Sequence, residues 1–119
     1  MNVYPNLESL TRNNDWFRKI IFTSPGGGNP IQVSLMSLMP GQEIGWESHP
    51  STQFFRVEEG EGTVVIDGTA RKYGEGSFWV VPSGEEHNVI SDTNTKLYTI
   101  YSPPAHPPDD DLRYQTTER

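Results

Sequence analysis

From Trp16 onward the chain shows no helical period; its apolar residues come in short runs, clearest in Ile31–Leu38 (IQVSLMSL), where apolar and polar positions alternate as in a half-buried strand. Similar runs read as strands at 16–23 (WFRKIIFT), 44–49, 53–58, 63–66, 70–73, 77–81, 87–91 and 97–101. Turn residues separate them: Ser24–Pro30 (SPGGGNP), Pro40-Gly41 and the tight-turn pair Asp67-Gly68. The one helical expectation lies at the start. Asn6 can cap a turn or two over Leu7–Leu10, and Asn13-Asn14 would end it. About nine short strands joined by turns is the pattern of an all-β sandwich or barrel. From Pro103 the chain reads PPAHPPDDDLRYQTTER, whose prolines and like charges predict an extended or disordered tail.

Composition narrows this picture. A chain of 119 residues makes one domain, here expected over 1–107 with an acidic, flexible tail at 108–119. Only 33% of the residues are apolar, which suits a compact β unit helped by a dimer interface. The formal net charge is −7 with no Lys/Arg cluster, so nucleic acid and anionic membranes are disfavoured as partners. Without cysteine, disulfides and thiolate metal sites are ruled out, and any metal must be held by nitrogen and oxygen. No signal-type apolar segment and no run of transmembrane length is present, so a cytoplasmic protein is expected.

Candidate chemistry concentrates in two segments, GWESHPSTQFF and VPSGEEHNVI. They carry Glu47, His49, Gln53 and His87, all able to offer a lone pair to a metal ion. In a strand, residues i and i+2 share a face, which puts Glu47 beside His49. By the same rule Gln53 shares a face with Phe55 and Val57, and His87 with Val89 and Ser91. The apolar members turn those faces inward and bury the polar ones. Buried imidazoles, a carboxylate and an amide cost several kcal/mol unless satisfied, and one divalent cation would satisfy all four.

The spacings are also those of a known family. Gly41, five residues, Glu47-Ser48-His49, three residues, Gln53, six residues, Gly60 has the layout of the first cupin motif. Gly76, five residues, Pro82-Ser83-Gly84, two residues, His87, three residues, Ser91 has that of the second. The chain therefore resembles the cupins over roughly Leu7 to Pro107. The segments NDWFRK, MSLMPGQEIG, VEEGEG and YTIYSPP are similar to those of small stand-alone cupins often labelled mannose-6-phosphate-isomerase-like. That label reflects the fold more than the chemistry. The resemblance implies an all-β double-stranded β-helix of jelly-roll type, a homodimer and one divalent metal ion (Fe, Mn, Co, Ni or Zn) held by Glu47, His49, Gln53 and His87.

Three positions depart from the family pattern. Glu47 stands for the first His, Gln53 for the Glu, and Ser91 for the final Asn, which is not usually a ligand. The formal ligand charge stays at −1, while two imidazoles with two oxygen donors shift preference toward Fe(II), Mn(II) or Co(II). Gln53 either ligates directly or hydrogen-bonds a metal-bound water. The implied function is a metal-dependent enzyme, of isomerase or dioxygenase type, acting on a small polar molecule such as a sugar or keto acid. Glu47 is the candidate base, and Phe55, Val89 and Ser91 are candidate pocket residues. The alternative is a small-molecule-binding cupin without turnover. Other features read as structural: His106 as an exposed tail histidine, Gly26–Gly28 as a hairpin loop, Asp109–Asp111 as solvated tail. Phe54, Phe55, Phe78 and Trp79 read as core or dimer surface, and Phe54 and Arg56 alternate with the inward set, so they face outward, toward a partner subunit.

Overall fold

The computed structural model describes residues 16–25, 30–107 and 112–113. In chain order the strands are β1 (Trp16–Thr23), β2 (Gln32–Leu38), β3 (Thr52–Glu59), β4 (Gly62–Ile66), β5 (Thr69–Tyr73), β6 (Phe78–Val81), β7 (His87–Ser91), β8 (Thr95–Ser102) and β9 (Leu112–Arg113). They form two antiparallel sheets, one ordered β6-β3-β8-β2-β1-β9 and the other β5-β4-β7. This is the jelly-roll arrangement expected from the strand pattern. Met36, Leu38, Phe55, Val57, Val64, Tyr73, Val81, Val89 and Leu97 interdigitate between the sheets as one core.

Turn chemistry sets the connections. Asp67 (φ 49°) and Gly68 (φ 79°) both take the left-handed region between the paired residues Ile66 and Thr69. This is a two-residue type I′ hairpin, matched to strand twist. Gly60, which closes the first motif, has φ 108°, and a Cβ there would come within 2.3 Å of the Asn94 carbonyl oxygen. The β3–β4 turn is thus pressed against the chain leading into β8, and only glycine fits.

One expected strand takes a different form. The stretch predicted as a strand at 44–49 has only isolated bridges to β7, Glu43 to Ile90 and Glu47 to His87. Gly45, at φ 101°, breaks the regular ladder, and its N–H bonds to the Asn88 side-chain oxygen (2.9 Å) rather than to a strand backbone. The segment still runs along β7. Ile44 N–H donates to Val89 O (2.9 Å), and Glu47 and His87 exchange both backbone bonds (3.0 and 2.9 Å).

The chain after Pro103 also differs from a free tail. Gln32, fully buried on β2, accepts from the Ala105 and His106 N–H groups (3.2 and 3.0 Å) and donates to the His106 carbonyl (2.7 Å). Ser51 Oγ donates to the Pro103 carbonyl (2.6 Å). Residues 103–107 are therefore strapped onto the barrel, and Leu112–Arg113 pairs with β1. The N-terminal helical turn, Gly26–Gly28 and Asp109–Asp111 lie outside the described residues. Among the described residues no helix is long and apolar enough to cross a membrane.

Candidate metal centre

The backbone latch between 41–49 and β7 assembles the site. Pairing Glu47 with His87 sets their side chains on adjacent tracks. A second latch fixes His49: Gly84 N–H donates to the His49 carbonyl (2.9 Å), and Ser48 Oγ donates to the Gly84 carbonyl (2.9 Å). One donor atom from each of Glu47, His49 and His87 comes within 4.8 Å of the others. His87 Nε2 lies 3.9 Å from Glu47 Oε1, and the two imidazole centroids are 5.2 Å apart at 74°. Donors sit about 2.1 Å from a first-row ion, so one ion spans atoms up to about 4.2 Å apart. The 3.9 Å pair lies inside that reach.

The hydrogen-bond pattern fits a cation. His87 is buried, and its Nδ1 lies 3.1 Å from the Glu85 carbonyl, which fixes that nitrogen as the donor. The lone pair on Nε2 is then turned to the site, where it has no partner. In His49 both ring nitrogens are buried and unpaired. Gln53, fully buried on β3, donates through Nε2 to Thr99 Oγ1 (2.8 Å) and leaves Oε1 unpaired. Buried polar atoms left without partners each cost about 1–3 kcal/mol. A divalent ion coordinated by Glu47, His49 and His87 would remove that cost at His87 Nε2 and at one of the two His49 nitrogens, with Gln53 Oε1 the candidate fourth donor. Glu47, its side chain 28% exposed, stands at the mouth, whereas His87 is 1% exposed.

The other predicted residues are distributed less evenly. Phe55 and Val89 are fully buried core residues, and the Phe55 ring lies between His87 (6.1 Å) and Trp79 (5.1 Å). Ser91 sits four residues along β7 from His87, roughly 13 Å away. Its hydroxyl donates to the Met39 and Gln42 carbonyls (2.6 and 2.9 Å), which ties down the start of the 41–49 segment.

Two residues that the motifs do not mark stand behind the triad. The Tyr101 ring meets His49 at 5.6 Å and His106 at 5.2 Å. His106 is thus no exposed tail residue: the Gln32 strap seats it against Tyr101. The Tyr101 hydroxyl is buried, and its pKa is pushed up to about 12, first by burial and then by the negative charge of Glu47. Arg18, Ser34 and Gln53 pull the other way. Ser34 and Gln53 stand close enough to favour the ionised phenol, but no hydrogen bond of good geometry forms, and the Tyr101 and Ser34 hydroxyls stay unpaired. Period two on β8 marks Tyr101 as inward along with Leu97 and Thr99. No local signal marks His106, because its place depends on a strap tied to β2.

A cupin-domain model matches residues 34–101, more than half of the chain. The chain belongs to the cupin family. It is 42% identical over 111 residues to the uncharacterized protein YrkC of Bacillus subtilis (strain 168), covering 86% of this chain and 58% of that one. The chain thus spans less than two thirds of that relative's length. The crystal structure of BH2720 from Bacillus halodurans superposes with a TM-score of 0.79 at 35% identity, covering 94% of this chain and 89% of that one. A mutant form of the salicylate 1,2-dioxygenase from Pseudoaminobacter salicylatoxidans shares the fold over 60% of this chain and 20% of its own, with a TM-score of 0.58 and 27% identity.

Proposed function

We propose that this cupin holds one divalent metal ion through Glu47, His49 and His87 and is a metal-dependent enzyme, of dioxygenase type, acting on a small polar molecule. The observation that carries the reading is His49, whose two ring nitrogens are buried and unpaired and which brings one donor atom within 4.8 Å of donors from Glu47 and His87. Two imidazoles and one carboxylate leave coordination positions open, the donor set of non-haem Fe(II) oxygenases. The fold shared with a salicylate 1,2-dioxygenase supports the same direction. When bound, the metal supplies Lewis acidity and a place for oxygen or a substrate oxygen.

The chain's own residues supply the rest. Phe55, Val57 and Val89 line the interior and exclude water from one side. Tyr101, held neutral, donates a hydrogen bond to an oxygen of the bound molecule. Glu47, at the mouth, is placed to accept a proton where the chemistry needs a base. Membership of the small stand-alone subgroup rests on the NDWFRK, MSLMPGQEIG, VEEGEG and YTIYSPP segments. Pairing of two chains through the outer face of the six-stranded sheet is part of the same proposal, as is a small molecule, not nucleic acid or membrane, as the partner.

The test is elemental analysis of purified protein, followed by Fe(II) and Mn(II) titration. The wild type is expected to hold about one ion per chain, and His49→Ala or His87→Ala to weaken binding at least about a hundredfold. An unchanged metal content in both variants would sink the metal reading. Oxygen uptake by the Fe(II)-loaded protein over a panel of small acids and sugars separates the dioxygenase type from turnover without oxygen, the isomerase type. Binding without turnover would replace the catalytic role with a binding one.

A further inference from the structure

Away from the triad, a cleft of about 410 Å³ opens between two sheet edges, β5 of the small sheet and β6 of the large one. Small-molecule sites span roughly 300–1,000 Å³. Its walls are mostly apolar: Val64 and Ile66 of β4, Tyr73 of β5, and Phe78 and Trp79 of β6. The Tyr73 and Trp79 rings lie 5.7 Å apart. None of Glu47, His49, Gln53 and His87 lines the cleft. Toward the triad, Trp79 stacks on Phe55 (5.1 Å), which in turn meets His87 (6.1 Å).

One charge interrupts this lining. Tyr73 turns into the core, and period two puts Arg71 on the same face of β5. The register partner of Arg71 is Val64, also a core residue. An arginine thus holds an inner-face position where the alternation calls for an apolar side chain, and it is exposed where the cleft opens. Lys72, the neighbouring cation, pairs with Asp92 (3.4 Å). Arg71 donates to the Ala70 carbonyl (3.2 Å) and, among the described residues, meets no carboxylate. In a chain of net charge −7, a guanidinium without a counter-charge therefore stands beside an apolar cleft.

We propose that this cleft binds a small aryl carboxylic acid, with the ring packed against Ile66, Tyr73 and Trp79 and the carboxylate paired with Arg71. The planar guanidinium fork matches the two oxygens of a carboxylate. The aromatic walls favour a flat apolar body in offset or edge contact. A neutral aryl compound fills the cleft but leaves the cation unpaired. A bare small acid pairs with the cation but leaves the apolar walls in water. Because no member of the triad lines the cleft, this binding needs no metal.

The experiment is calorimetric titration of 3-phenylpropanoate, its neutral amide 3-phenylpropanamide, and propanoate into the chelator-treated protein, repeated on the His49→Ala variant. The aryl acid is expected to bind at least about tenfold more tightly than either the amide or propanoate, and equally well in His49→Ala. Arg71→Gln, a change at an exposed position, is expected to lower the aryl acid to the level of the amide and to leave the amide unaffected. Tryptophan fluorescence places the ligand: the acid is expected to change the emission of the wild type and not that of Trp79→Phe. No binding of the aryl acid, equal affinity for acid and amide, or full affinity in Arg71→Gln overturns the proposal. Binding lost in His49→Ala but kept in Arg71→Gln would put the acid at the triad instead, and overturns it as well.

Discussion

Tyr101 is a buried titratable residue whose environment shifts its pKa far from the value in water. Burial and the charge of Glu47 disfavour its phenolate, raising its pKa from 10 to about 12. The folded state therefore keeps a proton that the unfolded chain gives up first. Below pH 10 both states hold it and stability is unaffected. Between pH 10 and 12 the unfolded chain binds fewer protons, so stability falls as pH rises, by roughly 2 kcal/mol at the upper end. Urea unfolding of the metal-free protein at pH 9, 10 and 11 is expected to show that decline, and Tyr101→Phe to lessen it, the part left over belonging to Tyr73, whose pKa burial also raises. Equal slopes in the two proteins would mean that the phenol is not sealed from solvent. At this scale the sequence was informative in an uneven way. Glu47, His49 and His87 were legible because motif spacing and period two act locally. The contacts of Tyr101 were hidden because they depend on β8 lying between β3 and β2, an order no local pattern encodes.

At the scale of elements, the segment from Gly41 to His49 decides whether the triad forms. Its predicted strand character was correct in direction and wrong in regularity. Glu47 and His49 do emerge on one side, but the ladder to β7 is broken at Gly45, and side chains complete it. Asn88 is the main repair: its Oδ1 accepts from Gly45 N–H (2.9 Å) and its Nδ2 donates to Glu43 Oε1 (2.8 Å). Asn88 is a candidate positioning residue, since it alternates with His87 along β7 and reaches the 41–49 segment rather than the triad. Asn88→Ala leaves a partly buried N–H without a partner, at a cost of about 1–3 kcal/mol. It also frees the stretch that carries Glu47 and His49. The expected result is a metal affinity about tenfold weaker, comparable to the loss of other groups that orient metal ligands, with the circular dichroism spectrum unchanged. Lower stability with unaltered metal affinity would assign Asn88 to the fold alone. The strap at 103–107 shows the opposite limit of legibility. Its prolines and acidic neighbours read as a tail, and its docking depends on Gln32, a polar residue on an inner face about seventy positions earlier.

For the whole molecule, the outer face of the six-stranded sheet raises the question of what covers it. Register aligns Val80, Phe54, Ile100, Val33 and Phe22 in one row across β6, β3, β8, β2 and β1. Phe78 is 66% exposed, Val80 51% and Phe22 50%. Phe78 stacks on Phe54 at 6.1 Å, which widens the apolar surface along the edge strand β6. A polar border follows, with Arg56 Nε 3.4 Å from Glu58 Oε2 at the surface, a pair that itself contributes little. An apolar centre with a polar rim is interface anatomy, and one face meeting its own copy about a two-fold axis closes the assembly at two chains. Charge opposes the pairing, because each chain carries −7. Association must therefore come from the apolar row and should strengthen as salt screens the repulsion. Sedimentation at about 10 µM is expected to show a dimer whose dissociation constant falls between about 0.05 and about 0.5 M NaCl. Phe78→Asp adds a charge at the exposed aromatic on the edge strand of this apolar surface without touching the core, and should weaken association at least about tenfold while leaving metal content unchanged. A monomeric wild type at high salt would show that the row is covered by something other than a second copy.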